Sequence, residues 1–220
     1  MVVTARRESE ATATAAPIRI FLAVRRTRSI LLAVAACGVL TAWLGTVEVA
    51  VPSAVDHGQG RIPLWRLLAI GAAVLPVLGM RSHLADLEQG VTRTLRRVQR
   101  IHLAGIAVAC VSIFLALAAL TIDPVILLVM LRSWLAWFGL ALLAGVLLGW
   151  RLAWTLPALV AVTFFYWGYH SGGDYWWWEF SIRPYADVPA LLLSIGLFAV
   201  GLVAYSMTPW RLRRLRTLLR

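Results

Sequence analysis

The sequence contains no lysine, and all 21 of its basic residues are arginine. A phosphate-binding loop of the Gly-x-x-x-x-Gly-Lys-Ser/Thr type needs its lysine to reach the phosphates of ATP. The chain therefore cannot hold ATP in such a loop. Any ATP hydrolysis linked to this protein would have to occur in a separate subunit.

Cysteine is nearly absent as well, since only Cys37 and Cys110 are present and both lie in apolar runs. Two such residues indicate neither a disulfide framework nor a zinc site. We interpret them as small buried hydrophobic side chains. The sequence accordingly predicts no metal and no cofactor bound by this chain itself.

Charged residues are few: they make up 14% of the 220 residues, whereas 61% are hydrophobic. Soluble domains carry about a quarter charged residues. This excess of apolar residues, with a mean hydropathy of +0.81, predicts an all-α integral membrane protein that contacts the lipid bilayer. We expect no nucleic-acid partner, despite the net charge of +11.

Six apolar stretches are long enough to cross a bilayer as helices, for which about 20 residues are needed. They cover residues 30–51, 62–80, 101–122, 125–150, 152–169 and 188–208, between a flexible tail (1–17) and a basic tail (209–220). Arg132 interrupts the fourth stretch, so residues 125–131 are either part of one span or a re-entrant or interfacial segment before it. We predict a single transmembrane domain over residues 18–208.

The arginines are distributed unevenly between the two sides of such a bundle. The segments before the first span, after the second, between the fourth and fifth, and after the sixth hold 17 of the 21 arginines. Since arginine is enriched in cytoplasmic loops, both termini are expected in the cytoplasm. Together with a composition typical of a high-GC genome, this predicts a multi-pass protein of the bacterial plasma membrane.

The longest charged stretch between strongly apolar regions, residues 81–100, lies on the cytoplasmic side in this arrangement. Read at helical period, it carries an apolar stripe. One interpretation is a solvated loop whose arginines fix topology and touch anionic headgroups. The other, which we favour, is a docking helix for a cytoplasmic partner. Its contact residues would be Leu84, Asp86, Leu87, Glu88, Val91 and Arg93.

Two further segments flank the predicted spans. Ile18–Arg28 mixes apolar and basic residues, as helices that lie in the membrane interface do. On the opposite side, Trp176, Trp177 and Trp178 are consecutive and cannot share one helix face. We predict a short element at headgroup depth, where indole rings are enriched; a plain aromatic belt with no further role is the alternative.

This layout resembles the membrane subunit of a type 2 ABC exporter, a six-span permease family that exports drugs, polysaccharides, lipids or peptides. Ile18–Arg28, Ser82–Arg100 and Gly172–Asp187 would correspond to the family's connecting helix, coupling helix and short exoplasmic helices. The resemblance implies an ATP-binding subunit, which the coupling helix contacts, and a second permease chain. Arg66 in a short second span and Arg132 in the fourth depart from the family pattern.

Enzyme chemistry is not indicated by the sequence. The His-Glu-x-x-His zinc motif, the Gly-x-Ser-Gly nucleophile of rhomboid-like proteases and lysine-containing phosphatase signatures are all missing. Glu48 and Arg132 are both expected toward the outer leaflet. We hypothesise that they form a pair, which would lower the cost of either charge in the membrane.

Two other functions stay open beside the exporter permease. A non-transporting membrane anchor or immunity-type partner would use the basic tail to recruit another protein. An ion-coupled carrier would place ionisable groups near the midplane of the membrane, where only Arg132 is expected. The sequence does not indicate a substrate, nor whether the two permease chains are identical.

Overall fold

The computed structural model describes residues 27–54, 59–80, 93–168 and 175–218. This part of the chain is mostly helical. Its elements in chain order are α1 (Thr27–Leu44), β1 (Glu48–Pro52), β2 (Gln59–Pro63), α2 (Leu64–Leu78), α3 (Arg93–Ala118), α4 (Pro124–Leu147), a 3-10 turn (Trp150–Leu152), α5 (Thr155–Trp167) and α6 (Val188–Leu218).

Four helices are long and apolar enough to cross a membrane: α1, residues 97–118 of α3, α4, and residues 188–207 of α6. At 1.5 Å per residue, 18 residues span roughly 27 Å, close to the thickness of a hydrocarbon core. The prediction of a mostly helical protein with several helices long and apolar enough to span a membrane is confirmed at this level. The helices α2 and α5 have 15 and 13 residues, which is fewer than the roughly 20 that a full crossing needs.

A β-hairpin joins α1 to α2 and corrects the predicted bounds of the first two spans. α1 ends at Leu44 rather than near residue 51, and Glu48–Pro52 pairs with Gln59–Pro63 in an antiparallel ladder. The reason is local, because valines occupy alternate positions over residues 47–51, and both this period and β-branched residues favour a strand. The prediction of a purely helical chain is therefore wrong in this segment.

The central helix α4 runs without a break through Arg132. Asp123 caps its start by accepting a hydrogen bond from the backbone N–H of Val125 at 2.7 Å. Pro124 lies in the first turn, where its missing N–H costs nothing. The fourth stretch is thus one helix, and the alternative of a separate segment over residues 125–131 is wrong. Most of α4 is buried within the chain, so the other elements pack around it.

The helices α4 and α6 cross at close range through two glycines. A Cβ added at Gly139 would lie 2.4 Å from the carbonyl oxygen of Leu197, and one added at Gly201 would lie 2.4 Å from the carbonyl oxygen of Gly139. Backbones approach this closely only where side chains are missing, as in many pairs of membrane helices. The crossing fixes α6 against the central helix.

Successive helices run in alternating directions, which gives the bundle two ends. One end holds the β-hairpin, residues 119–123 and residues 175–187, and we call it the strap end after the last of these segments. Here Thr121 Oγ1 donates a hydrogen bond to the carbonyl of Ala42 at 2.7 Å. The tail end holds the start of α3 and the last turns of α6; here Arg100 Nη2 donates to the carbonyl of Ser206 at 3.1 Å.

Some of the predicted segments lie wholly or partly outside the described residues. The interfacial segment Ile18–Arg28 is described only from Thr27, where α1 begins, and the coupling segment Ser82–Arg100 only from Arg93, where α3 begins. The predicted coupling residues outside the description are Leu84, Asp86, Leu87, Glu88 and Val91. The basic tail is not a separate segment, because α6 continues as one helix to Leu218.

Candidate functional site: a buried charge cluster under the strap

Residues 175–187, which we call the strap, form a series of turns that fold back into the bundle before α6. Phe180 is only 1% exposed, and its ring centre lies 4.9 Å from that of Trp137 in α4 and 5.0 Å from that of Phe164 in α5. Trp178 also packs on Phe164, at 5.2 Å. Burying one such ring stabilises by roughly 1.5–3 kcal/mol, so the strap is part of the core.

Beneath the strap, Arg66 of α2 forms a buried ion pair with Glu179. Nη2 of the arginine lies 2.7 Å from Oε1 of the carboxylate, and the two side chains are 2% and 0% exposed. The Ser181 hydroxyl accepts from Nε and Nη2 of Arg66 at 3.2 and 2.7 Å, and donates to Oε1 of Glu179 at 2.5 Å. The guanidinium also lies 5.3 Å from the ring centre of Phe165, within cation–π range.

Arg132 of α4 holds the strap through its backbone. Nη1 donates a hydrogen bond to the carbonyl of Pro184 at 2.9 Å, and Nη2 donates to the carbonyls of Phe180 and Arg183 at 2.9 and 2.6 Å. Three carbonyl dipoles thus stabilise the guanidinium of Arg132, a residue that is only 4% exposed. We call Arg66, Arg132, Glu179 and Ser181 the charge cluster.

A second ion pair closes the strap where α6 begins. Arg183 Nε donates to the carboxylate of Asp187, and its Nη1 donates to the carbonyl of Tyr175 at 2.9 Å. Asp187 also accepts a hydrogen bond from the backbone N–H of Ala190 at 3.2 Å, which caps the helix. Burial alone would raise the pKa of Asp187, but the Arg183 contact, the Ala190 N–H and the charge of Arg132 outweigh burial and lower that pKa.

The charge cluster has one positive charge in excess, because it contains two guanidinium groups and a single carboxylate, that of Glu179. Glu179 hydrogen-bonds Arg66, whereas Arg132 donates to strap carbonyls and also lies near the charge of Asp187. Within the described residues, Arg132 Nε and Glu179 Oε2 are buried and make no hydrogen bond. Such atoms are uncommon, and ionisable groups at membrane depth are costly and usually functional. This cluster is therefore the candidate functional site.

The structure does not pair Glu48 with Arg132, so that hypothesis is wrong. Glu48 lies in β1 and contacts Arg61 of β2, with 3.7 Å between Oε2 and Nη1, and both side chains are more than half exposed. The hairpin is the physical reason, because α1 has already ended at Leu44 and Glu48 lies at the surface. Arg132 contacts carbonyl oxygens of the strap instead.

The three consecutive tryptophans begin the strap and have different environments. Trp178 is half-buried against Phe164, whereas Trp176 and Trp177 are exposed. The segment is not helical, which agrees with the argument that three neighbouring rings cannot share a helix face. The two exposed rings lie at the strap end of the bundle.

The pairing of Arg66 with Glu179 was missed at the level of sequence, where the two residues are 113 positions apart. The available signal was the presence of Arg66 and Arg132 inside apolar stretches, since such charges need partners. Glu179 gave no comparable signal, because it lies in a connecting segment between two apolar stretches. Only the folding of the strap into the bundle identifies it as the partner.

The fold and the site together define a helical protein with four helices able to cross a membrane and a charge cluster buried between α2, α4 and the strap. No protein-family model, curated protein or solved structure matches the chain. The function therefore has to be argued from the membrane architecture and from the cluster.

Proposed function

We propose that this chain is the membrane-spanning permease subunit of an ATP-driven exporter. It would cross a bacterial plasma membrane six times, with both termini in the cytoplasm and the strap on the opposite side. The observation that carries the proposal is the strap, which folds back into the bundle directly before the last helix, α6. The exporter permeases that the sequence resembles have short exoplasmic helices at the same point of the chain. Residues 175–187 form turns instead of helices, so the likeness is one of position in the chain.

The distribution of charge supports the proposed orientation. The tail end carries Arg28, Arg97, Arg100, Arg151 and the arginine-rich end of α6, whereas every described acidic residue lies at the strap end. An excess of arginine marks the cytoplasmic side of membrane proteins. The tail end would therefore face the cytoplasm.

The two short helices, α2 and α5, fit six crossings if other elements complete them. Backbone that is not helical is tolerated at membrane depth where protein buries it. The hairpin continues from α2, and its Ala54 N–H donates to the carbonyl of Tyr166 in α5 at 2.9 Å. In the proposal, the hairpin and the strap complete the crossings that α2 and α5 begin.

The proposed partners have separate places on this bundle. An ATP-binding subunit would dock at the tail end, on the segment between α2 and α3 that contains Leu87 and Val91. A second permease chain would pack against apolar side chains such as Leu32 and Trp43, which α1 leaves 71% and 80% exposed. The remaining apolar surface would face lipid.

Affinity purification of the tagged full-length chain from its native membrane tests the proposal. We expect an ATP-binding subunit in stoichiometric amount, which is lost when Leu87 and Val91 are both changed to aspartate. As a matched control, the same two changes at Leu212 and Leu215 should leave the subunit bound. A chain that purifies without any ATP-binding protein would overturn the exporter proposal and favour a membrane anchor.

An ion-coupled carrier is the second candidate, and the depth of the charge cluster favours it. Arg132 is the ninth residue of α4, roughly 12 Å from the start of the helix. Buried ionisable groups at such depth often mark ion pathways. A proton or sodium gradient alone would drive transport by a carrier in proteoliposomes, whereas the exporter would need ATP and its partner subunit.

A further inference from the structure

Every side-chain hydrogen bond that Arg66 and Arg132 donate within the described residues goes to the strap. Six such bonds reach Glu179, Ser181 and three strap carbonyls. The two arginines belong to different helices, α2 and α4. A cationic site built by two helices is thus filled by a segment of the same chain.

We propose that Arg66 and Arg132 form a binding site for an anionic group, a carboxylate or a phosphate, attached to an apolar body. While the strap is closed, the carboxylate of Glu179 occupies this site in place of the external anion. The inference deepens the proposed function and rests on it in one respect, namely that the bound molecule is the transported substrate. The substrate class would then be an acidic amphiphile.

The contacts of the cluster indicate an anion with several oxygen atoms. Arg66 binds a carboxylate oxygen and a hydroxyl, which are contacts that arginine also makes with carboxylate and phosphate ligands. Both donors that reach Glu179, from Arg66 and Ser181, use the same oxygen, Oε1. Oε2 of Glu179 and Nε of Arg132 are left without hydrogen bonds among the described residues. Of the two guanidinium groups, Glu179 hydrogen-bonds that of Arg66 alone, so a ligand with more oxygens would engage both guanidinium groups where Glu179 engages one.

Opening of the strap is linked to anion binding by electrostatics. When the strap leaves, it withdraws the carboxylate of Glu179 from Arg66 and three backbone carbonyls from Arg132. Unpaired charges away from water are strongly unfavourable. The strap therefore opens readily only when another anion replaces Glu179.

The aromatic residues around the charge cluster are the reason that the bound molecule would carry an apolar part. Phe180 moves with the strap, and its ring covers Trp137 and Phe164. Its departure would expose these two aromatic faces beside the arginines. A hydrocarbon chain or ring would cover them again, because apolar surface favours apolar contact.

The test uses the full-length chain in phosphatidylcholine nanodiscs, with Cys37 and Cys110 changed to alanine. Ile182, which is half-buried in the strap, is changed to cysteine, and its rate of labelling by a maleimide reports opening of the strap. Monododecyl phosphate, an acidic amphiphile, should accelerate labelling several-fold, whereas dodecanol should have no effect. Inorganic phosphate at the same concentration should also have no effect.

Two substitutions in the ion pair should act in opposite directions. Arg66→Met should abolish the response to monododecyl phosphate. Glu179→Gln removes the tethered competitor and should lower the half-effective concentration of the probe by roughly tenfold, because the open site becomes more populated. If the Arg66→Met protein fails to fold, the Glu179→Gln protein tests the inference by itself. If the carboxylate of Glu179 had a purely structural role, its removal would not raise the affinity for monododecyl phosphate.

Three results would overturn the inference: equal labelling with monododecyl phosphate and dodecanol, an unchanged response in Arg66→Met, or no gain in Glu179→Gln. Equal acceleration by inorganic phosphate would assign the site to free anions and reject the amphiphile. The experiment contains no ATP-binding subunit. Its outcome is therefore independent of the co-purification that tests the proposed function.

Discussion

The buried pair of Arg66 and Glu179 gives the sharpest test of the structure through a double-mutant cycle. The single changes are Arg66→Met and Glu179→Met, and the double change carries both. Each single change is expected to cost about 3–5 kcal/mol of unfolding free energy, because it leaves the other charge buried and unpaired. The double change should cost less than either single one, since apolar side chains of similar size often replace buried ion pairs without loss.

The free energies can be measured by reversible unfolding of the purified protein in mixed detergent micelles, with rising mole fraction of dodecyl sulfate and circular dichroism as the readout. The Glu48 and Arg61 pair serves as the control, because its side chains are mostly exposed. The same cycle there should give a coupling free energy near zero, as is common for surface pairs. If the cost of the Arg66 and Glu179 double variant equals the sum of the single costs, the two residues do not interact and the placement of the strap is wrong.

Two further predictions concern the attachment of α6. Gly139→Ala should lower the free energy of unfolding by about 1–3 kcal/mol, because its new Cβ would meet the backbone of Leu197 and overpack the core. As a control, Gly105→Ala should be neutral or slightly stabilising in the same detergent unfolding assay, because a Cβ there meets nothing within 4 Å. The second prediction concerns Asp187, whose pKa is lowered in the folded state. The stabilisation of the fold by its ionised carboxylate is therefore complete above the unfolded-state pKa of about 3.9. This stabilisation is lost as the pH falls through the folded-state pKa. The melting temperature of wild type should therefore exceed that of Asp187→Asn at pH 7, and this difference should shrink toward pH 3. The contribution of Glu179 is common to both proteins and cancels in the comparison. A constant difference across this range would show that the charge of Asp187 does not contribute.

Much of the helical framework follows from sequence because it is set by local composition. α1, α4, residues 97–118 of α3 and residues 188–207 of α6 are mostly apolar helical segments whose length matches a membrane. The β-hairpin was not predicted, because the apolar residues of its strands raise the mean hydropathy of the neighbouring stretches. They were therefore counted as part of the first two predicted spans. Alternation of valines over residues 47–51 carried the strand signal, but a count of apolar residues does not register alternation.

The site could be predicted only in part. Arg66 and Arg132 stood out as charges within apolar stretches, and the strap segment stood out through its tryptophans. Their combination depends on contacts across 48 to 115 positions of sequence, and one chain contains no local pattern that specifies such pairs. The wrong pairing of Glu48 with Arg132 followed from the wrong bounds of the first span, because a residue assigned to helix was in fact on an exposed strand.

The side of the membrane on which the strap lies distinguishes the proposed orientation from its opposite. In spheroplasts that produce the cysteine-free chain, Trp177→Cys at the strap end and Arg151→Cys at the tail end can be exposed to a membrane-impermeant maleimide; both positions are exposed in the structure. With the strap on the outer side, we expect residue 177 to be labelled in intact spheroplasts and residue 151 only after lysis. Labelling of residue 151 in intact spheroplasts, with residue 177 protected until lysis, would contradict it, because the charge cluster would then close the cytoplasmic end instead.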